Sequence, residues 1–119
     1  MAIIIKTKDP QQLIVRINQY IDSNNIKTWS YDEEGDYTTV SSRWRFLAWM
    51  HPILPSKDND IPSNYLYFSI IASTKYKMTK ELYGVYHGRF IATLLSNFDT
   101  EIEEIRPTPL ALEGIDRII

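Results

Sequence analysis

Seven residues, Tyr31-Asp32-Glu33-Glu34-Gly35-Asp36-Tyr37, set four carboxylates within five positions around one glycine. Oxygen donors at that density can hold a divalent cation or work as an acid/base pair. A calcium loop of the EF-hand type starting at Asp32 needs glycine at its sixth position and glutamate at its twelfth. Tyr37 and Arg43 stand there instead. Asp58-Asn59-Asp60 also fails, because Pro62 occupies the fifth position. A tight turn accounts for the acidic stretch better. Gly35 supplies the positive φ that such a turn needs, and the acids stay in water. The expectation is a charged hairpin tip that binds no metal.

The other chemistry-bearing residues are few. Two histidines, His51 and His87, make a zinc site only if carboxylates complete the ligand set. His51, before Pro52, reads as an end-of-strand residue. His87 projects from an aromatic helical stripe with Tyr83 and Tyr86 beside it. Two readings stand for it: a core histidine bonded to a tyrosine or a backbone carbonyl, and a general base or ligand contact at the mouth of a pocket. Arg89 points to the other side of that helix and suits a salt bridge or an interface. Trp29, Trp44 and Trp49 fall in the strand-rich half, and an exposed one would mark a contact site. The four glycines are not in phosphate-loop or dinucleotide order, and no nucleophile elbow is present. No cofactor and no catalytic residue is assigned. With no cysteine, disulfides, thiolate catalysis and Cys-ligated zinc are excluded.

Elements must position these residues. The chain has 119 residues, enough for one domain with its own core. Apolar residues at 44% and charged residues at 24% are ordinary for a globular chain, and aromatics at 13% are plentiful. Ile3 to Ile5 reads as a buried strand. Asp9-Pro10-Gln11-Gln12 carries a helix start, with Asp9 as cap. Leu13, Ile17, Tyr20 and Ile21 then share one face up to Ser23-Asn24-Asn25. Four strand runs follow: Ile26 to Tyr31 and Asp36 to Val40 flanking the turn, Arg45 to Ile53, and Tyr65 to Ile71. In the third run Phe46, Ala48 and Met50 fall on one face and Leu47 and Trp49 on the other. Pro55 to Ser63 is a loop. Thr79 caps a helix over 79–97, whose core stripe is Tyr83, His87, Phe90, Ile91, Leu94 and Phe98. Gly84 and Gly88 on it leave room for another backbone. Ile102 to Ile105 alternates with glutamates as an edge strand, and Leu110 to Ile119 is a docking tail. The order is β-α-β-β-β-β-α-β: a single α+β domain over 1–119, an antiparallel meander sheet with two helices on one face.

Three stretches, IKTWSYDEEGDYT (26–38), RWRFLAWMHP (43–52) and YGVYHGRFIATLLSNFD (83–99), resemble a group of small bacterial proteins with no assigned activity. They cover about a third of the chain. The resemblance implies a bacterial, cytoplasmic protein of one compact domain, and no mechanism.

Net charge is −2. Basic residues are scattered, with Lys75, Lys77 and Lys80 the nearest to a cluster. Acids are grouped, and this leans toward a basic protein partner and away from nucleic acid. MAIIIKTKDP is too short an apolar run for a signal core or a membrane span, so no membrane contact is expected. The leading expectation is a non-enzymatic protein-binding module, such as an immunity or inhibitor protein. It would meet its partner through Asp32, Glu33, Glu34, Asp36, Trp29 and Arg89. The alternatives are a small enzyme or ligand-binding protein with a pocket at Tyr83, Tyr86 and His87, and a homodimer through Leu82, Val85 and Ala92 of the second helix.

Overall fold

A computed structural model describes residues 2–109. The expected docking tail, Leu110 to Ile119, lies outside them. The elements are β1 (Ala2–Lys6), α1 (Pro10–Asp22), β2 (Trp29–Tyr31), β3 (Tyr37–Thr39), β4 (Ala48–Ile53), β5 (Tyr65–Ala72), α2 (Lys80–Phe98) and β6 (Glu104–Pro107). Class and element order are those read from the sequence. The six strands form one antiparallel sheet in the order β2-β3-β4-β5-β1-β6. α1 carries the chain from β1, deep in the sheet, to β2 on the far edge. α2 returns it from β5 to the opposite edge.

Register follows the strand period of two. Ile3 and Ile5 sit opposite Phe68 and Leu66, and Ile70 sits opposite Met50. These side chains share one core with Leu13 and Ile17 of α1 and with Leu82, Tyr83, Tyr86, Phe90, Leu94 and Phe98 of α2. Both helices therefore cover the same sheet face. Tyr20 of α1 meets Phe98 of α2 at 4.8 Å between ring centres, and Phe90 packs edge-on against both Trp29 and Phe68. Large aliphatic and aromatic side chains buried this way each stabilise the fold by roughly 1.5–3 kcal/mol.

Both helix starts are those the sequence encodes. Asp9 Oδ1 accepts from Gln12 N at 3.0 Å, and Thr79 Oγ1 accepts from Leu82 N at 3.1 Å. The strands differ more. β2 and β3 are each three residues long, shorter than the runs that flank the acidic turn. β4 begins at Ala48, not Arg45. Phe46 is not a strand residue paired in facing with Ala48. Residues 41–46 wind a single helical turn, in which the Trp44 and Arg45 amides both donate to the Ser41 carbonyl. Phe46 ends that turn at φ 61 with its ring exposed. Only Tyr37 and Met50 pair between β3 and β4, so the sheet splays there.

Candidate functional site

The hairpin tip is built as a pinned turn. The Asp32 side chain accepts from the Glu34 and Asp36 amides at 2.9 and 3.0 Å, and Gly35 takes φ 82. A side chain bonding backbone two and four residues on fixes the turn without strand help. The hairpin is then tied to α1: the Tyr31 hydroxyl donates to the Asp22 carboxylate at 2.8 Å, and the Tyr37 hydroxyl to Asn18 Oδ1 at 2.5 Å. The bond to Asp22 raises the Tyr31 phenol above its ordinary range. Glu33 and Glu34 stand in solvent, and among the described residues neither forms an ion pair.

The expected contact set does not form one patch. Asp32 is the turn's own pin. Asp36 is buried, and its Oδ1 lies 2.6 Å from His51 Nδ1. A carboxylate can only accept from that nitrogen, so Nδ1 carries the proton. Register puts Ser69 directly across from His51, and Ser69 Oγ has no hydrogen-bond partner among the described residues. Carboxylate, imidazole and hydroxyl thus follow one another from the residue before β3 across β4 to β5. A nucleophile must reach its substrate, however, and Ser69 is wholly buried. What the Asp36–His51 bond does is hold β3 to β4 where backbone pairing is thinnest.

Trp29 and Arg89 do come together, at the open end of the hairpin. They line a groove of about 340 Å³ between α2 and the β2–β3 pair, along with Thr39 and Val40. Trp29 itself is buried at 3% exposure, so it forms the groove's floor; Arg89 is exposed at its rim. The groove continues past Thr28, Ala92 and Thr93 toward Asn25 and Ser96. β2 is the outermost strand of the sheet at this edge.

Tyr83, Tyr86 and His87 are core residues. His87 is 4% exposed, and its Nδ1 bonds the Tyr83 carbonyl at 2.9 Å. None of the three lines the grooves above or the cavity described next. Leu82 is buried as well, so it belongs to the core and not to an outer dimer face. The outer face of α2 carries Ala92 of the expected set together with Gly84, Gly88 and Leu95, and Val85 is half-buried.

A feature the sequence reading missed lies where the sheet splays. The turn over 41–47 and the loop after β5 meet at the end of the β4–β5 pair, where Ser73 N donates to the Leu47 carbonyl at 3.0 Å. Between them is an open cavity of about 550 Å³ lined by Arg45, Phe46, Trp49, Lys75 and Tyr76, with serine and threonine hydroxyls. Phe46 stands in the left-handed region, which costs a non-glycine residue roughly 1–2 kcal/mol. A hydrogen-bond chain from the core holds it there. The Tyr86 hydroxyl donates to the Trp44 carbonyl at 2.5 Å. Its one proton is thereby committed, so Thr38 Oγ1 donates to Tyr86 at 3.0 Å and accepts from the Phe46 amide at 3.2 Å. Burial raises the Tyr86 phenol, and the bond from Thr38 offsets part of that rise. The sequence did carry a sign of this corner: cations alternate with rings in Arg43-Trp44-Arg45-Phe46 and again in Lys75-Tyr76-Lys77.

Among the described residues no three His, Asp or Glu side chains gather as a metal site, and no helix is long and apolar enough to cross a membrane. No known protein family, curated protein or solved structure matches the chain.

Proposed function

We propose that this is a non-enzymatic, cytoplasmic bacterial protein-binding module that engages a basic protein partner through its β2–β3 hairpin. An inhibitor or immunity protein that neutralises a toxin is the most concrete form of that role. The observation that carries the reading is the way the hairpin is presented. Its tip is pinned by the Asp32 side chain and its strands are tied to α1 through Tyr31 and Tyr37, so Glu33 and Glu34 are held out on a stiff support. A preorganised contact loses less entropy on binding, and fixed like charges steer an oppositely charged partner. At the other end of the same hairpin, the groove floored by Trp29 and rimmed by Arg89 offers apolar depth to an anchoring side chain.

The test is expression of the protein with the product of the adjacent gene in its host. Rescue of growth from that product's toxicity, with a stable complex of the two, supports the reading. Absence of both a complex and rescue contradicts it.

A further inference from the structure

We infer that the corner between residues 42–47 and 73–77 binds a nucleotide unit, its base on the exposed rings and its phosphate on Arg45 and Lys75. Three independent observations converge there. The first is the cavity itself, whose volume of about 550 Å³ lies within the range of small-ligand sites. The second is its chemistry. Arg45 and Lys75 are the charged residues among those lining it, and no carboxylate joins them. In a chain of net charge −2 this is a local reversal of sign. Phe46 and Tyr76 are 52% and 54% exposed, and Trp49 is half-buried between strand and loop. Large rings left in water beside cations, with hydroxyls of Ser42 and Thr74 at hand, suit a planar base joined to an anion.

The third observation is strain. Glycine would hold the backbone of position 46 without penalty, since φ 61 costs it nothing. A phenylalanine stands there instead, its amide fixed by Thr38 and the preceding turn fixed by Tyr86. The ring is not repaid by burial, because half of its surface faces water. It lies against Arg45, whose guanidinium carbon is 5.0 Å from the ring centre. A strained, exposed ring held beside a cation by a buried hydrogen-bond chain is the arrangement expected where backbone strain serves binding. This site is separate from the acidic hairpin tip and does not depend on the role proposed for it.

The experiment is fluorescence anisotropy with a short fluorescein-labelled single-stranded RNA, competed by ATP, by inorganic phosphate and by polyglutamate. Binding of the strand or of ATP, at least about tenfold tighter than phosphate alone, is expected. A free nucleotide bound as well as the strand makes the ligand a small molecule. A tighter strand makes it a nucleic acid, with a log–log salt slope of about −0.7 for the one phosphate neutralised. Arg45→Glu and Lys75→Glu should each weaken binding at least about tenfold, while Lys8→Glu, the same charge change in the β1–α1 turn, leaves it unchanged. Phe46→Gly should fold with an equal or higher Tm yet lose binding by about tenfold or more. The inference is overturned if neither RNA nor ATP binds at millimolar concentration, or if phosphate competes as well as ATP. It is also overturned if polyglutamate binds more tightly than the nucleotides, which would assign the corner to an acidic protein. Phe46→Gly binding as the parent does would overturn it too.

Discussion

At the scale of single residues, polar side chains repair what a short sheet leaves undone. β3 and β4 share one paired position, and the part-buried Asp36–His51 bond supplements it. Replacing His51 with alanine leaves a buried carboxylate without its partner, which should cost about 1–3 kcal/mol. Urea unfolding of His51→Ala against the parent measures it, and a loss within about 0.5 kcal/mol would remove the clamp. Tyr37 and Tyr86 make a second residue-scale prediction. Burial, with the neighbouring Tyr31 and Asp36 charges, pushes the Tyr37 phenol well above its ordinary value of 10.0, and burial raises Tyr86 as well. A folded-state pKa above the unfolded one gives stability that is complete below the unfolded value and is lost as pH rises toward the folded value. Stability should therefore hold to about pH 10 and fall beyond it. Urea midpoints at about pH 8 and pH 11, with phenolate absorbance followed in parallel, check this; all eight phenolates appearing without loss of stability would contradict it. The core setting of His87 was legible from its neighbours on the helix, and its Nδ1 bonds the Tyr83 carbonyl four residues back; the setting of His51 was not. The partner of His51 is fifteen positions away across a strand register, and no local pattern encodes that register.

At the scale of elements, the helices were readable and the strand ends were not. Helix starts are local: Asp9 and Thr79 sit three residues from the amides they cap. The α2 stripe through Tyr83, His87, Phe90, Ile91, Leu94 and Phe98 follows from the helical period alone, and all but the half-buried Ile91 are buried. Phe46 shows why strands were harder. Alternation in Arg45 to Ile53 fits a strand from its first residue, yet the turn bonds to Ser41 win over residues 42–46. Those bonds draw on Thr38, eight residues before Phe46, and on Tyr86, forty-two residues beyond Trp44. The exposed face of α2 was readable only in part. Leu82 looked external and is core, whereas Gly84 and Gly88 stand in water with nothing within 4 Å of where a Cβ would lie. Gly84→Ala and Gly88→Ala should each stabilise the free protein by about 1 kcal/mol. Thermal unfolding of the two variants tests this. Destabilisation by either would mean that another backbone uses the space, as a dimer through this face requires.

At the scale of the whole molecule, charge divides between the acidic hairpin tip and the splayed corner. The tip presents Glu33 and Glu34, and the groove over Trp29 lies at the open end of the same hairpin, next to the corner at 42–47 and 73–77 that carries cations and rings. The fold class was legible because it needs only the order of elements. The sites were not, because each is assembled from segments that meet only in three dimensions. The grouping of acids at 32–36 concealed two unlike roles: Asp32 and Asp36 build the hairpin, and Glu33 and Glu34 are the ones left to face a partner. The most direct test of the hairpin's role is therefore the association rate of the complex with the adjacent-gene product, for the parent and for a Glu33→Lys/Glu34→Lys variant at low and high salt. An unchanged Tm with association about tenfold slower at low salt, and little difference between them at high salt, is the predicted result. Equal association rates at low salt would contradict it and return the acidic stretch to a plain turn.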